Sequence, residues 1–192
     1  MLLMSAVLEY GRGMARDATD VAKRCLCIEL LLQRLGLEID EDDPVAERDA
    51  VRNAWLSRLG QLGIDQTLVA DERALLERKV GELTEAECDD IEGRVIHGLA
   101  LLWALGRIPA PPAAEMLGEA TALVAEHGIL GDGSIPAAKA ALASAKLRQD
   151  AELTAAHADA AKAKDDSFLG GPKYMVASIV VQALAWTTDT AA

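Results

Sequence analysis

Apolar side chains recur along this chain at steps of three and four residues, in segments parted by glycine, proline and acidic stretches, which is the periodicity of amphipathic helices. No segment shows sustained period-two alternation of β-branched residues, so no strand is predicted. The clearest segment runs from Glu85 to Leu105 and closes on Leu99-Ala100-Leu101-Leu102-Trp103-Ala104-Leu105-Gly106. Thr84 and Glu87 have the spacing of a capping box, in which each side chain accepts from the other residue's amide. Gly106 stands where a left-handed C-terminal cap is wanted, and Pro109 prevents the helix from resuming. Its inward stripe is Ile91, Val95, Leu99, Leu102 and Trp103, and the segment is predicted as the central helix of the core.

The same reasoning places helices on both sides of it. One begins at Thr19 or Asp20 and reaches Leu35. Another runs from Pro44 to Leu59, with Val51, Trp55 and Leu59 on one face. A short helical piece follows Asp65, and Asp71 caps a helix over 72–80. Ala113 to His127 is closed by Gly128. Gly131-Asp132-Gly133-Ser134 is a turn, and Ser134 with Pro136 opens an alanine-rich helix to Lys164. In that helix Leu142, Leu147 and Leu153 do not fall on one stripe. Pro172 starts a last, strongly apolar helix ending near Trp186. Residues 1–17, with Gly11 and Gly13, read as a loosely ordered lead-in, and 18–190 as a single helical domain. The expectation is an all-α globule of about seven packed helices with no significant sheet and no fixed internal repeat.

Composition supports that class and narrows the function. The chain has 192 residues, of which 51% are hydrophobic and only 3% aromatic, so alanine and leucine, both strong helix formers, supply the apolar mass. The net charge of −12 argues against nucleic acid, whose recognition needs clustered Lys and Arg. Acids concentrate in two runs without a base: six from Glu38 to Glu47 and six from Glu82 to Glu92. Both lead into predicted helices, where the macrodipole favours them. The first run, Asp40, Glu41, Asp42 and Asp43, is also a candidate face for a basic partner. The longest uncharged runs, 95–106 and 174–188, fall short of the roughly 18–20 residues that a bilayer requires, so no membrane insertion is expected. Met1–Leu8 lacks the basic start and cleavage site of a secretory signal. Cys25, Cys27 and Cys88 form no disulfide framework, which suits a cytoplasmic setting.

Chemistry-bearing patterns are sparse. His97, His127 and His157 stand thirty residues apart, and none has a partner at helical metal-ligand spacing. There is no nucleophile elbow and no phosphate loop of the Walker type. No metal and no cofactor is expected, and no catalytic residue is assigned. The candidate binding residues are Arg94 and His97, three apart on the central helix, with Trp55, Trp103 and Trp186 as the wall of a pocket.

The string Arg94…Leu101-Leu102-Trp103-Ala104-Leu105-Gly106 resembles an uncharacterised bacterial family, domain of unknown function 4272. Val21-Ala22-Lys23-Arg24, Asp71-Glu72-Arg73-Ala74-Leu75-Leu76-Glu77, Leu147-Arg148 with Ala151-Glu152-Leu153, and Ala183-Leu184-Ala185-Trp186 with Thr188-Asp189-Thr190 extend it. It covers about residues 18–190. The resemblance implies a helical fold in a bacterial cytosol and brings no assigned activity. Of the polar signature it implies at the start of the central helix, this chain keeps Arg94, beside Gly93 and Ile96. On the long helix the corresponding stretch is Ala155-Ala156-His157-Ala158.

Three functions are open to such a chain. The first is a non-catalytic acidic protein that binds another protein, in its sharpest form an immunity-type partner masking a basic toxin or effector. The second is a small-molecule binder or enzyme with a pocket near the central helix. The third is a self-assembling structural protein, a homo-oligomer held through the alanine-rich helix.

Overall fold

The computed structural model describes residues 16–131 and 133–188. Most of the expected lead-in, residues 1–15, lies outside them, as do Asp132 of the 131–134 turn and the closing Asp189-Thr190. Among the described residues the chain is all α-helical, with no strand. Helix α1 is Ala18–Ile39, α2 Val45–Leu62, α3 Ala70–Glu77, α4 Glu85–Gly93 and α5 Val95–Ala104. A 3-10 segment, Ala114–Glu119, leads into α6, Ala120–His127. Then follow α7, Ile135–Ala143, α8, Asp150–Asp165, and α9, Pro172–Thr188. No helix among them is long and apolar enough to cross a membrane.

The centre is shared by α1 and α5. Every residue of α5 is buried, and α1 is buried almost all round from Val21 to Leu32. Helix α5 packs on α1, α6 and α9, while α1 also meets α2, α3, α4 and α7. Helix α8 packs mainly on α9, with Leu153 its one buried residue. Asp17 caps α1 by accepting from the Asp20 amide at 2.8 Å, ahead of the expected start at Thr19 or Asp20.

The segment expected as one helix over 85–105 is two. Its capping box is present: Glu87 accepts from the Thr84 amide at 2.9 Å, and Thr84 accepts from the Glu87 amide at 3.4 Å. Its end is closed by Gly106 at φ 69°, with the Gly106 amide donating to Trp103 at 2.8 Å and the Arg107 amide to Leu102 at 2.9 Å. Between them the ladder tightens at Arg94, whose amide bonds Ile91 at 3.1 Å, an i to i−3 contact following the weak helix former Gly93.

The alanine-rich segment expected over 136–164 is also two helices, and one residue explains the gap. Arg148 is drawn across to the end of α5. Its amide donates to the Ala104 carbonyl at 2.8 Å, its Nε to Trp103 at 2.8 Å and its Nη2 to Ile108 at 3.0 Å. These carbonyls at and just beyond the α5 C-terminus are otherwise short of helical donors. The guanidinium also lies 4.9 Å from the Trp103 ring centroid. Helical continuation through 144–149 would withdraw all of these bonds.

Helix α2 faces inward through a different stripe from the one its apolar pattern predicts. Arg48, Arg52, Leu59 and Leu62 are buried, and Val51 is exposed. Arg48 donates to the carbonyl of Leu37, and Arg52 to that of Glu77. Long guanidinium side chains thus fill positions that a hydrophobicity count assigns to solvent. The helical piece expected after Asp65 is a hydrogen-bonded turn instead. The segment 113–127 begins as 3-10 helix before it becomes α6.

Candidate functional site

Arg94 lies at the joint between α4 and α5 and is the outer member of a buried charge network. Glu72, on α3, is fully buried, and Arg24, on α1, is 1% exposed. Glu72 accepts from both Nη atoms of Arg24, from Nη1 of Arg94, and from the Val69 amide at 3.4 Å. Its two oxygens therefore take four donors. Arg94 spends its remaining N–H groups on Asp90, at 2.7 and 3.2 Å, and on Asp71, at 3.2 Å. Burial works against the Arg94 charge, but these carboxylates outweigh it and raise its pKa. The network ties α1, α3, α4 and α5 together by one carboxylate, a geometry suited to fixing helices rather than to presenting a free cation.

His97 lies one turn further along α5, nine-tenths buried. Its Nε2 has no hydrogen-bond partner among the described residues. Burial, then the positive charges of Arg24 and Arg94, push its pKa down to about 3. The ring is neutral at physiological pH and is a weak base. Arg94 and His97 thus lie within one turn of each other, Arg94 saturated by carboxylates and His97 buried with its Nε2 unpartnered.

The three tryptophans have separate surroundings. Trp103 is buried under Arg148. Trp186, on α9, stacks with Arg16 at 5.5 Å. Trp55, on α2, lines two small clefts, together with Leu30, Leu59 and Leu76 in one and Arg58, Leu62, Leu130 and Ile135 in the other. Trp103, Trp186, Arg94 and His97 line neither cleft. Among the described residues no group of three His, Cys, Asp or Glu side chains is placed to hold a metal.

Asp40, Glu41, Asp42 and Asp43 form the link between α1 and α2. Asp40 is half-buried and accepts from the Asp42 amide at 2.9 Å, and the other three are exposed. Two neighbouring carboxylates are used internally. Glu38 accepts from the amides of Gly81 and Leu83, each at 3.0 Å, and pairs with Arg34. Burial opposes its charge, yet those amides and Arg34 hold its pKa below the usual range. Asp49 pairs with Arg52 and accepts from the Val80 amide at 3.1 Å.

Sequence reasoning did not single out Glu72, Arg24 or Arg148 as partners, nor Glu29. Glu29 is buried on α1 and accepts from the amides of Ile129 and Leu130, the latter at 2.7 Å, while the Cys25 thiol donates to it at 3.5 Å. Burial raises its pKa even so. A signal for the first three was present. Arg24, Glu72, Arg94, Trp103 and Arg148 all fall within the strings quoted from the sequence, whereas Asp90 and Ile108, which also bond Arg94 and Arg148, fall outside them.

No family model, no curated protein and no solved structure matches the chain.

Proposed function

We propose that the protein acts by binding another protein, a basic one, rather than by catalysis. The observation that carries this reading is the α1–α2 link. Asp40, Glu41, Asp42, Asp43 and the nearby Glu47 are reached by no ion pair among the described residues. A folded acidic protein that keeps such a run unpaired presents a field that steers cations and basic proteins towards it. Arg94 and Glu72 are by contrast paired with one another, and Arg94 also with Asp90. A cytosolic protein that masks a basic toxin or effector is the form of this function that fits best. Kinship with the family of domain of unknown function 4272 belongs to the same proposal. The strings that suggest it contain Arg24, Glu72, Asp71 and Arg94 of the buried network.

A pull-down of the tagged protein against the products of neighbouring genes at low salt tests the reading. Retention of a basic protein, released as salt rises, is the expected result. Retention of none, together with micromolar binding of a metabolite, would overturn it.

A further inference from the structure

The two acidic runs differ in one respect that charge alone does not show. Ile39, the last residue of α1, is 68% exposed, and Val45, the first of α2, is 50% exposed. They bracket Asp40–Asp43. The run from Glu82 to Glu92 has no exposed large hydrophobic side chain, and Glu87 and Asp90 within it are paired with Arg78 and Arg94. Of the basic residues near the first run, Arg34 pairs with Glu38 and Arg52 with Asp49, and among the described residues none forms an ion pair with Asp40–Asp43 or Glu47. Arg34 donates to the carbonyls of Arg78 and Lys79, Arg48 to those of Leu37 and Glu38, and Arg52 to those of Leu76 and Glu77.

We propose that the corner from Ile39 to Glu47 is the docking surface, and that its occupant is a cationic amphipathic helix of a basic partner, whose apolar face covers Ile39 and Val45 while its Lys or Arg residues meet Glu41, Asp42, Asp43 and Glu47. This rests on the basic-partner reading and specifies its surface. Branched aliphatic side chains left in water beside unpaired carboxylates gain by burial, and so act as anchors. The carboxylates fix the sign of the partner and speed the encounter. Elsewhere the most exposed apolar side chains are Phe168 and Leu169 in the link between α8 and α9, 87% and 72% exposed. They are flanked by Lys162, Lys164 and Lys173 as well as Asp165 and Asp166, and that mixture selects no charge of partner.

The test is amide chemical-shift mapping of the whole isotope-labelled protein with a synthetic amphipathic helix of leucine and lysine, about 15 residues long so that it can form a helix. A second peptide carries glutamate in place of lysine. Shifts at physiological salt should concentrate in 39–51 and be absent with the glutamate peptide. Ile39→Ser with Val45→Ser should weaken the affinity about fivefold, and both sites are exposed enough to leave the fold intact. Asp42→Asn with Asp43→Asn should weaken it and flatten its salt dependence. Equal shifts over 82–92 would overturn the role of the aliphatic pair, and shifts centred on Phe168 would move the surface elsewhere. In both cases the basic-partner reading would survive. Binding of the glutamate peptide as tightly as the lysine one, or of neither, would count against both.

Discussion

Glu72→Gln is the perturbation that most sharply tests how the scaffold is held. The change keeps shape and volume and removes one charge from a side chain with no solvent exposure. Arg24, 1% exposed, then faces a neutral amide that cannot accept all the donors now aimed at it. Arg94 keeps Asp90 and Asp71 and is 11% exposed, so the loss falls mainly on Arg24. Breaking one side of a buried ion pair costs about 3–5 kcal/mol. A domain of this size loses roughly 2–4 °C of melting temperature per kcal/mol, so the expected drop is about 6–20 °C. Urea unfolding followed by helical ellipticity measures the free energy without adding salt. The companion variant, Arg24→Met with Glu72→Met, removes both charges and should recover to within about 2 kcal/mol of wild type, because no buried charge is left unpaired. A Glu72→Gln protein within about 1 kcal/mol of wild type, or a double variant as unstable as the single one, would refute the reasoning.

His97 supplies a pH dependence. Its folded pKa, about 3, lies below the roughly 6.5 of an unfolded histidine, so only the unfolded chain binds the proton between those values and stability falls as pH drops through that window. At about 1.36 kcal/mol per unit, His97 should remove roughly 3 kcal/mol by pH ~4, and a His97→Asn protein compared in urea at both pH values should lack that share. In Gly128→Ala the new Cβ would sit 2.6 Å from the Glu29 carboxyl carbon and 2.7 Å from the Val124 carbonyl oxygen, so a loss of about 1–3 kcal/mol is expected in the same assay. Arg148→Ala should lower stability by about 1–3 kcal/mol and speed amide exchange at Gly106 and Arg107, because it unclamps the end of α5.

Helix existence and class were legible in the sequence because they depend on local periodicity and caps. The Thr84–Glu87 box and the Gly106 cap are where their spacing puts them. The gap before α8 was not legible, because its cause is not local. It follows from Arg148 meeting carbonyls 40 to 45 residues earlier in the chain. Likewise α2 turns Arg48 and Arg52 inward to carbonyls of other segments, which no hydrophobic count along the helix can register. At the candidate site Arg94 and His97 were recognisable from their place on the central segment. The saturation of Arg94 by Glu72, Asp90 and Asp71 was not, since it depends on α3 packing against the α4–α5 joint. Acidity at 40–43 could be read directly. Its flanking aliphatics could not, because exposure of Ile39 and Val45 is a property of the folded corner.

The most direct measurement is the affinity of the full chain for its retained basic partner by titration calorimetry, for wild type and for a variant with Asp40→Asn, Glu41→Gln, Asp42→Asn and Asp43→Asn, at low and at physiological salt. Four charges at roughly 0.2–1 kcal/mol each predict an affinity weaker by about fourfold to several hundredfold, with most of the salt dependence gone. Equal affinity and an equal salt slope in the two proteins would contradict the account.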